Sequence, residues 1–561
     1  MEAGQTNVQL QVAFAGHSRP GDLGNLEALE AKVEQALHRL RAAGIKHARL
    51  MTGLAEGADK MVAEAWRRRD MGPTHAVLPF LDEAEELVGP GAVAQTATWL
   101  DGEQAHEIGC SPHLVQTRWM LSHAELLIVV WNGLEGRGAG GTADAVRLAL
   151  DAGVPILWIN PREPELNIIR RPPLHDPVSF LELHETLQAG RGSIVAHADV
   201  ETIREALELA RPQSTEIEVR GHSGFENWLH RWLWRSFWVF QRMAGGRLPP
   251  AKRPAIPPPA DLAAQPGFIA IGEAFAVADA HAGRLAAIHR SEQILLLGAA
   301  VAAATLGALP YFNYALKVPA IVAELILAIA AFGVWRVSDR ARWHEKWTGA
   351  RRLAEHLRLA QVGWALGVAT GRAGSAALQQ EHRRLGRAIL RQAQPAHGRY
   401  DPRRIAAWAS WGVHELVNGQ ADYHRREGHR NHLIAKRIQL VENGSFAILV
   451  LVLATAAIAA AVAASMGHHA PGWATSMAGA VGVIAPAIGA AAMALEAKLQ
   501  FEEQAERSSA VAARLETLAD ALPSDLTLEA AQGAIRASAE LLVAEADQWQ
   551  EGGGRRRLFR G

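Results

Sequence analysis

Three glycine-bearing segments carry the residue types that proteins use to hold phosphate groups. They read GHSRPG at 16–21, TGLAEGAD at 52–59 and GRGAGGTAD at 136–144, with an Asn-Gly pair at 132–133 shortly before the last. Glycine lets the backbone come close to a phosphate, and the free amides at the start of a following helix point towards it. The three segments together therefore indicate a site for a phosphorylated ligand.

Arginine and threonine side chains supply matching hydrogen-bond donors. Arg19 and Arg137 can pair with a phosphate through two parallel bonds, and Thr52 and Thr142 can donate their hydroxyl groups. The candidate ligand-binding residues are Gly16, His17, Arg19, Thr52, Gly53, Leu54, Glu56, Gly57, Asp59, Asn132, Gly133, Arg137, Gly140, Gly141, Thr142 and Asp144.

Two aspartates leave a choice of roles open. Asp59 and Asp144 can accept hydrogen bonds from ribose hydroxyls, but each falls in the first turn of a predicted helix, where an acidic residue also stabilises the helix itself. A single glycine-rich turn is also common as an ordinary tight turn. The prediction of a binding site consequently depends on the convergence of all three segments.

The three glycine segments can converge only if the strands before them form a parallel sheet, and the chain has the alternating strand and helix pattern of such a sheet. Apolar runs predict strands at 8–15, 47–52, 75–80, 125–131 and 155–160, with an edge strand at 193–198. Helical spacing of apolar residues predicts helices at 25–43, 57–69 and 141–152. Each glycine segment follows a predicted strand, so all three belong at the carboxyl edge of the sheet, where ligands collect in open α/β folds.

These blocks resemble a known family. The segments FAGHSRPG, TGLAEGADKMVAEA, VLPF, AELLIVVWNG and GAGGTADAVRLALDAGVPILWINP resemble the SLOG superfamily, the Rossmann-like group that includes the DNA-processing protein DprA and the LOG phosphoribohydrolases. The resemblance covers residues 8 to 200. It implies an α/β domain with a Rossmann-like parallel sheet and a pocket for nucleotides or nucleotide derivatives over the three turns.

One departure from the hydrolytic LOG members bears on catalysis. Those members carry a proline before a glycine pair and a glutamate three residues after the motif threonine, where this chain has Ala145. Asp144 is shorter and one residue early, so a helix turns it about 100° away. We therefore predict binding without catalytic residues. The alternative is a membrane-tethered nucleotide N-glycosidase of the LOG type that uses Glu56, Asp59 or Asp144.

Composition excludes several other classes of function. Lys and Arg number 57 against 58 Asp and Glu, so no overall positive field recruits nucleic acid, and direct nucleic-acid binding is not expected. The single cysteine, Cys110, excludes an internal disulfide framework and a thiolate metal site. The 24 histidines form no recognised metal spacing, so no metal and no cofactor beyond the nucleotide-derived ligand is expected. The N-terminus lacks the features of a secretory signal, which predicts a cytoplasmic start.

Four nearly uncharged runs predict a membrane region in the second half. They cover 294–312, 318–335, 446–466 and 473–495, each long enough to cross a hydrocarbon core of about 30 Å. They form two hairpins with short tips, and basic residues flank the open ends of both. Because basic flanks are retained in the cytoplasm, both termini are predicted there, with the chain in the bacterial inner membrane. A transporter with a regulatory domain is a third reading, which the scarcity of polar residues in the spans disfavours.

The predicted fold class is an α/β Rossmann-like N-terminal domain followed by an all-α transmembrane region with four spans. The domains are a sensor at 1–215, a Trp-rich helix and Pro-rich linker at 216–262, and two-span hairpins with flanking helices at 263–395 and 396–561, which we interpret as two copies of one unit. The aromatic segment 225–243 fits either the headgroup zone of a bilayer or packing on its own domain. Candidate gating residues are Trp228, Trp232, Trp234, Trp238, Glu324 and Pro486.

For two of these, structural roles compete. Glu324 in the second span can line a pore or pair helices, or lie near enough to the surface to need neither. Pro486 in the fourth span can gate or merely kink its helix.

The membrane half resembles the SLATT group of transmembrane effectors. The likeness rests on the two hairpins, on ARRLAEHLR and QAERSSAVAARLETL after them, and on their position behind the N-terminal domain. It implies a bacterial anti-phage effector that senses a nucleotide second messenger, such as cyclic ADP-ribose or a cyclic oligonucleotide made by a partner enzyme. Binding would lead to homo-oligomers that open or disrupt the lipid bilayer.

Overall fold

The computed structural model describes residues 10–17, 20–82, 85–103, 111–134, 139–163, 165–169, 195–207, 236–245, 256–368, 380–523 and 526–554. Within these ranges nine strands form one sheet, and they are β1 Leu10–Gly16, β2 Ala48–Thr52, β3 Thr74–Leu78, β4 Thr96–Trp99, β5 Leu126–Val130, β6 Ile156–Ile159, β7 Leu166–Ile169, β8 Val195–His197 and β9 Gly398–Arg399. Their order across the sheet is β8-β7-β6-β5-β1-β2-β3-β4-β9.

The sheet is Rossmann-like in its topology. All neighbouring strands run parallel except β7, which is antiparallel to both β6 and β8. The chain proceeds from β1 through β4 in one direction and then returns to place β5 on the other side of β1. The strand order therefore reverses between β1 and β5, which is the position where open α/β sheets bind ligands.

Helices of the N-terminal part follow the strands as the apolar spacing indicates. They are α1 Pro20–Leu23, α2 Leu26–Ala42, α3 Ala58–Arg68, α4 Pro112–His123, α5 Thr142–Asp151 and α6 Val200–Ala206. The five predicted central strands are confirmed to within two residues at each end, as are the three predicted helices. Helices α1, α4 and α6 and strands β4, β7 and β9 were not predicted, because α1 and α6 are short, α4 has no single apolar face, and the strands are short or threonine-rich.

Each face of the sheet has its own apolar core. Alternate strand residues such as Val12 and Phe14 pack under α2 and α3 on one face. The intervening residues, such as Ala13 and Met51, pack on the other face under α4 and α5 and under helices from the second half of the chain. Strand alternation thus directs one face of the sheet to its own crossover helices and the other to a shared core.

The second half of the chain is helical throughout its described parts, apart from β9 and short turns. Its helices are α7 at 236–245, α8 Ala260–Ala263, α9 Pro266–Ala308, α10 Lys317–Ala341, α11 Trp343–Leu366, α12 Gln380–Gln392, α13 Pro402–Val413, α14 Gln420–Ser465, α15 Gly472–Leu499, α16 Phe501–Asp520 and α17 Leu528–Gly554. A π-helical turn at His414–Gly419 joins α13 to α14.

The sheet and the helical half share one hydrophobic core. Trp119 of α4 meets Tyr400 edge-on at 6.4 Å between ring centroids, and Tyr400 meets Trp408 in the same way at 5.3 Å. Tyr400 also donates its hydroxyl to the carbonyl of Ala365 in α11, and β9 extends the sheet beside β4. The predicted 396–561 region therefore contributes a strand to the N-terminal sheet, and the two halves pack as a single body.

Four helices are long and apolar enough to span a membrane. They are α9, α10, α14 and α15, and they pair as two hairpins in the order that the sequence predicts. Their apolar side chains are largely exposed; in α10, for example, Ala320 is the only buried residue. An apolar surface of this extent is not stable in water, which fits insertion into lipid. Helices α9 and α14 continue well beyond the apolar stretch at their amino-terminal ends, with 43 and 46 residues in all.

The two hairpins of apolar helices end in the same way. Arg342 follows α10 at φ 52° and Gln500 follows α15 at φ 52°, both in the left-handed region. Each is followed by a buried aromatic residue, Trp343 or Phe501, which begins a helix that folds back on the entry helix of its own unit. The two units thus share an element order of long helix, span, left-handed turn and returning helix.

The left-handed turn gives a first prediction. Replacing Gln500 with glycine is expected to raise the free energy of unfolding by roughly 0.5–1 kcal/mol, because the left-handed backbone costs a residue with a side chain about 1–2 kcal/mol and glycine returns part of that as chain entropy. Thermal unfolding in detergent micelles measures the change. Glu506→Gly, at an exposed position inside α16, is the control and should lower stability by about 1 kcal/mol. A loss of stability in Gln500→Gly would contradict the account.

Candidate functional site

The three glycine turns meet at one edge of the sheet. They follow β1, β2 and β5, and these three strands are neighbours in the order β5-β1-β2. All three strands are parallel, so their carboxyl ends lie side by side. The arrangement on which the binding prediction depends is therefore present.

His17 belongs to the first turn and contacts residues of the other two. Its carbonyl oxygen accepts a hydrogen bond from the amide of Ala58 at 3.3 Å, at the start of α3. Its Nε2 atom accepts from the amide of Asn132 at 3.3 Å, and its Nδ1 atom lies 3.5 Å from the hydroxyl oxygen of Thr142. Because Nε2 is an acceptor, a neutral ring carries its proton on Nδ1. The histidine thus fixes the spacing of the three turns.

Two helix N-termini open beside this histidine. Gly57 precedes α3 and Gly141 precedes α5, and neither terminus has a hydrogen bond from a capping side chain. The first amides of a helix carry partial positive charge and attract anions. Packing requires glycine at position 16, since a Cβ atom there would lie 2.5 Å from that of Ala58 at the start of α3. The edge can therefore receive a phosphate at either helix start.

The second turn is held together by a buried carboxyl group. Thr52 is fully buried and donates its hydroxyl to Oδ2 of Asp59 at 2.9 Å, while it accepts from the amide of Leu54 at 3.2 Å. Burial raises the pKa of Asp59 to about 7, against hydrogen bonds from Thr52 and from the backbone amides of Ala55, Gly53 and Gly16. Thr52, Leu54 and Asp59 therefore shape the turn from within.

Asp144 has the corresponding role in the third turn. Its Oδ2 accepts from the amide of Gly140 at 2.8 Å, and its Oδ1 accepts from Arg147 at 2.7 Å. Gly140 has φ 85°, and a Cβ atom on it would lie 2.7 Å from Oγ of Ser111 and 2.8 Å from the amide nitrogen of Leu114. The carboxylate and the glycine together close this turn against α4.

The remaining candidates differ in their exposure. The partly or fully exposed candidates form the accessible part of the site, and they are Gly16, His17, Gly53, Glu56, Gly57, Asn132, Gly133, Gly140, Gly141 and Asp144. Glu56 forms an ion pair with Lys60 one turn along α3. Arg19 and Arg137 lie outside the described residues. Within the described residues, no three His, Cys, Asp or Glu side chains converge to hold a metal ion.

The ionisation of Asp59 gives a second prediction. Between about pH 4 and pH 7 the folded protein retains a proton on Asp59 that the unfolded chain has lost, so the free energy of unfolding falls as the pH rises, by up to about 1.4 kcal/mol per pH unit. Asp59→Asn has no such proton and should lack this component of the pH dependence. Urea unfolding of both proteins from pH 5 to pH 7 measures it, and parallel curves would refute the assignment.

Two of the candidate gating residues occupy defined positions in the spans. A Cβ atom on Gly307 of α9 would lie 2.8 Å from Oε1 of Glu324, so the carboxylate of Glu324 packs against a glycine of the first span. This position favours helix pairing among the roles considered for it. Pro486 lies inside the continuous helix α15. Trp238 is 54% exposed on α7, and Trp228, Trp232 and Trp234 lie outside the described residues.

Helix α7 is fastened to the bundle by residues that the sequence did not single out. The guanidinium of Arg290 lies 5.1 Å from the ring of Phe237 and 5.5 Å from that of Trp347, and Ser291 accepts from the amide of Phe237 at 2.8 Å. Arg437 of α14 donates to the last carbonyls of α7. The available signal was the aromatic segment at 225–243 together with the arginines just before each hairpin, Arg290 and Arg437.

A network of ion pairs on α11 was also not predicted from the sequence. In α11, Glu355 pairs with Arg351 and with Arg358, and Arg351 also reaches Asp279 of α9 at 3.2 Å. These charges hold the pKa of the Glu355 carboxyl below its usual value despite burial. The spacing of three and four residues in ARRLAEHLR was the signal for the pairs within α11.

Comparison with known proteins identifies no relative of this chain. No protein-family model, curated protein or solved structure matches the chain. The likeness to the SLOG and SLATT groups therefore rests on the sequence segments alone.

Proposed function

We propose that this protein is a ligand-gated membrane effector of a bacterial anti-phage defence system. A SLOG-like domain binds a nucleotide-derived second messenger, of the type of cyclic ADP-ribose or a cyclic oligonucleotide, that a separate enzyme synthesises. SLATT-like helices lie in the inner membrane with both termini in the cytoplasm. Ligand binding favours an assembled state of several copies, in which the spans form a pore or disrupt the bilayer.

One observation carries the proposal. The edge of the sheet that presents two uncapped helix N-termini around His17 belongs to the same packed body as the helices that continue into the four exposed apolar spans. A ligand can shift a membrane state only through a difference in affinity between two conformations, and this requires a mechanical connection. The shared core supplies that connection.

Exposure of the spans supports assembly. In α10 every residue except Ala320 is at least partly exposed, and α9 and α14 have few buried residues in their apolar stretches. Four spans of one copy leave little room for a pore, whereas copies that pack along these faces can enclose one. Close packing in membranes uses small residues, of which these spans have many.

The hydrogen bonds of the two aspartates favour binding over cleavage of an N-glycosidic bond. Asp59 and Asp144 are both engaged in hydrogen bonds that shape the turns, and Glu56 is paired with Lys60. A general acid or nucleophile needs a carboxyl group that reaches the substrate. Asp59 and Asp144 therefore have partners within the turns, whereas Glu56 is exposed and its pair with Lys60 lies on the surface.

The test is binding without turnover. Full-length protein in lipid nanodiscs is incubated with cyclic ADP-ribose and with cyclic di- and trinucleotides, and binding is followed by thermal shift and product formation by chromatography. The proposal predicts a saturable shift with one ligand class and an unchanged ligand. Stoichiometric release of a free base would favour the enzyme, and the absence of any shift would contradict the proposed sensor.

A further inference from the structure

Helix α7 packs on the helical half of the molecule through one face. The inward residues recur at the spacing of a helix face, and they are Phe237, Phe240, Gln241, Ala244 and Gly245. A Cβ atom on Gly245 would lie 2.9 Å from Cγ of Arg430, so the end of α7 lies against α14. The amide of Phe237 donates to Ser291 of α9, and Arg437 of α14 donates to the last carbonyls of α7. Both ends of α7 are therefore held in place.

Large apolar side chains on the other face of α7 are exposed. Trp238 is 54% exposed, Val239 56% and Met243 70%, and Arg242 is exposed beside them. Single exposed apolar residues are ordinary on protein surfaces, but several that share one face of a short helix form a patch. The outward face of α7 therefore has the character of a contact surface for an apolar partner with polar groups at its edge.

The position of α7 along the hairpins indicates which partner this is. Phe240 and Ala244 pack on an apolar cluster formed by α14, α15 and α16. The same cluster contains residues from the start of the first apolar run and from the end of the fourth, namely Ile294, Leu297, Ala492 and Leu495. Further towards its amino end, α9 contributes Phe268 and Ile271 to the core that it shares with the sheet. Helix α7 therefore lies at the level where the apolar runs end on the side of the sheet.

Exposed aromatic rings occur at both ends of the apolar runs. At the tips they are Tyr311, Tyr314 and Trp473, and on the side of the sheet they are Trp238 and, near the end of α10, Trp335. Trp and Tyr collect at both surfaces of a bilayer, because their rings are apolar and carry a polar N–H or O–H group. The outward face of α7 thus has the residue types of the headgroup zone at the depth where that zone is expected.

We propose that α7 is an interfacial helix that binds the phospholipid surface on the side of the sheet. Its outward apolar side chains lie among the upper parts of the acyl chains, and the guanidinium of Arg242 pairs with lipid phosphates. Because α7 is hydrogen-bonded to both α9 and α14, this contact fixes the depth at which the two hairpins enter the bilayer. The inference rests on the membrane location within the proposed function, and it is independent of the ligand.

The test measures the depth of a nitroxide label in full-length protein in phospholipid nanodiscs. The single native cysteine is removed by Cys110→Ser, and one label site is added at a time: Val239→Cys on α7, Ile329→Cys inside α10 or Arg403→Cys on α13. All three added sites are exposed, so the substitutions leave the packing unchanged. Collisions of the label with oxygen, which concentrates in lipid, are compared with collisions with a water-soluble nickel chelate.

The label on Val239→Cys is expected about 5–10 Å below the lipid phosphates, with an oxygen-to-nickel ratio several-fold above that of Arg403→Cys. The label on Ile329→Cys should lie deeper. If Val239→Cys gave the ratio of Arg403→Cys while Ile329→Cys reported lipid, the interfacial helix would be refuted and the spans would stand. Shielding of the Val239→Cys label from both reagents would also refute it, because a second copy or another protein would then cover this face. Water around Ile329→Cys would contradict the proposed membrane location and this inference with it.

A second measurement uses the native chain. A phospholipid with a photoactivatable diazirine group on an upper carbon of its acyl chain is included in the nanodiscs, and labelled peptides are identified by mass spectrometry after irradiation. Label is expected on the outward residues of α7, and none on the exposed residues of α13. Label on the spans without any on α7 would overturn the proposal.

Discussion

Arg391→Ala is expected to lower the free energy of unfolding by about 3–5 kcal/mol, the usual cost of leaving a buried charge without its partner. The Nε atom of Arg391 donates to both oxygens of Glu125 at 3.0 and 2.8 Å, and the two side chains are 12% and 13% exposed. Its Nη2 atom also donates to the carbonyl of Leu207 at 3.2 Å. One residue of α12 therefore ties the helical half to the strand β5 and to the end of α6.

The change is measured by thermal and urea unfolding of the full chain in detergent. Arg403→Ala, on an exposed position of α13, is the matched control and should change stability by less than about 0.5 kcal/mol. Adding Glu125→Gln to Arg391→Ala should restore part of the loss, because the uncompensated charge is removed. A loss below about 1 kcal/mol in Arg391→Ala would show that this ion pair does not hold the halves together.

Gly140→Val is expected to weaken nucleotide binding about 100-fold or more. The substitution places a side chain at φ 85°, where a Cβ atom meets Oγ of Ser111 and the backbone of Leu114 below 3 Å. The third turn must then move, and the bond from the Gly140 amide to Asp144 is lost. A shift of about 1 Å in a positioned site can reduce function by two orders of magnitude.

The control separates strain from binding. Gly44 has φ 100° with nothing within 4 Å of a Cβ atom, and it lies between α2 and β2, at the amino edge of the sheet. Gly44→Val therefore carries similar backbone strain and should keep native ligand affinity. Thermal shift with the nucleotide that stabilises the native protein in the nanodisc experiment measures both variants. Native affinity in folded Gly140→Val would exclude the third turn from the site.

The sheet and the glycine turns could be predicted from sequence because buried parallel strands are continuous apolar runs and the turns follow them directly. The spans could be predicted for a similar reason, since few charges interrupt them over the length of a bilayer. Both signals are local. They require no knowledge of which distant segments meet.

What could not be predicted depends on distant contacts. Strand β9 has two residues, and its partner β4 lies some three hundred positions earlier in the chain. The contacts of Arg391 likewise join α12 to the start of β5, and the sequence around that strand does not indicate a helical partner. Thr52 and Asp59 have the residue types of a ligand site, but both are buried and hydrogen-bond to each other within the turn. No pattern in the sequence distinguishes a side chain that binds a ligand from one that stabilises the turn.

The left-handed turns could not be predicted from the sequence for a different reason. Arg342 and Gln500 hold a conformation that glycine or asparagine normally adopts. The available signal was the aromatic residue that follows each, Trp343 and Phe501, at the same place in both units. That correspondence becomes evident once the returning helices are aligned by structure.

The most direct test of a ligand-gated membrane effector is dye leakage from liposomes that contain the full-length protein. The account predicts that leakage rises saturably, about tenfold or more, with the nucleotide that stabilises the protein. At a nucleotide concentration that half-saturates the native protein, Gly140→Val should show almost no rise, while Gly44→Val should respond as the native protein does. Leakage at the same rate with and without every nucleotide tested, or none when the ligand is fully bound, would contradict it.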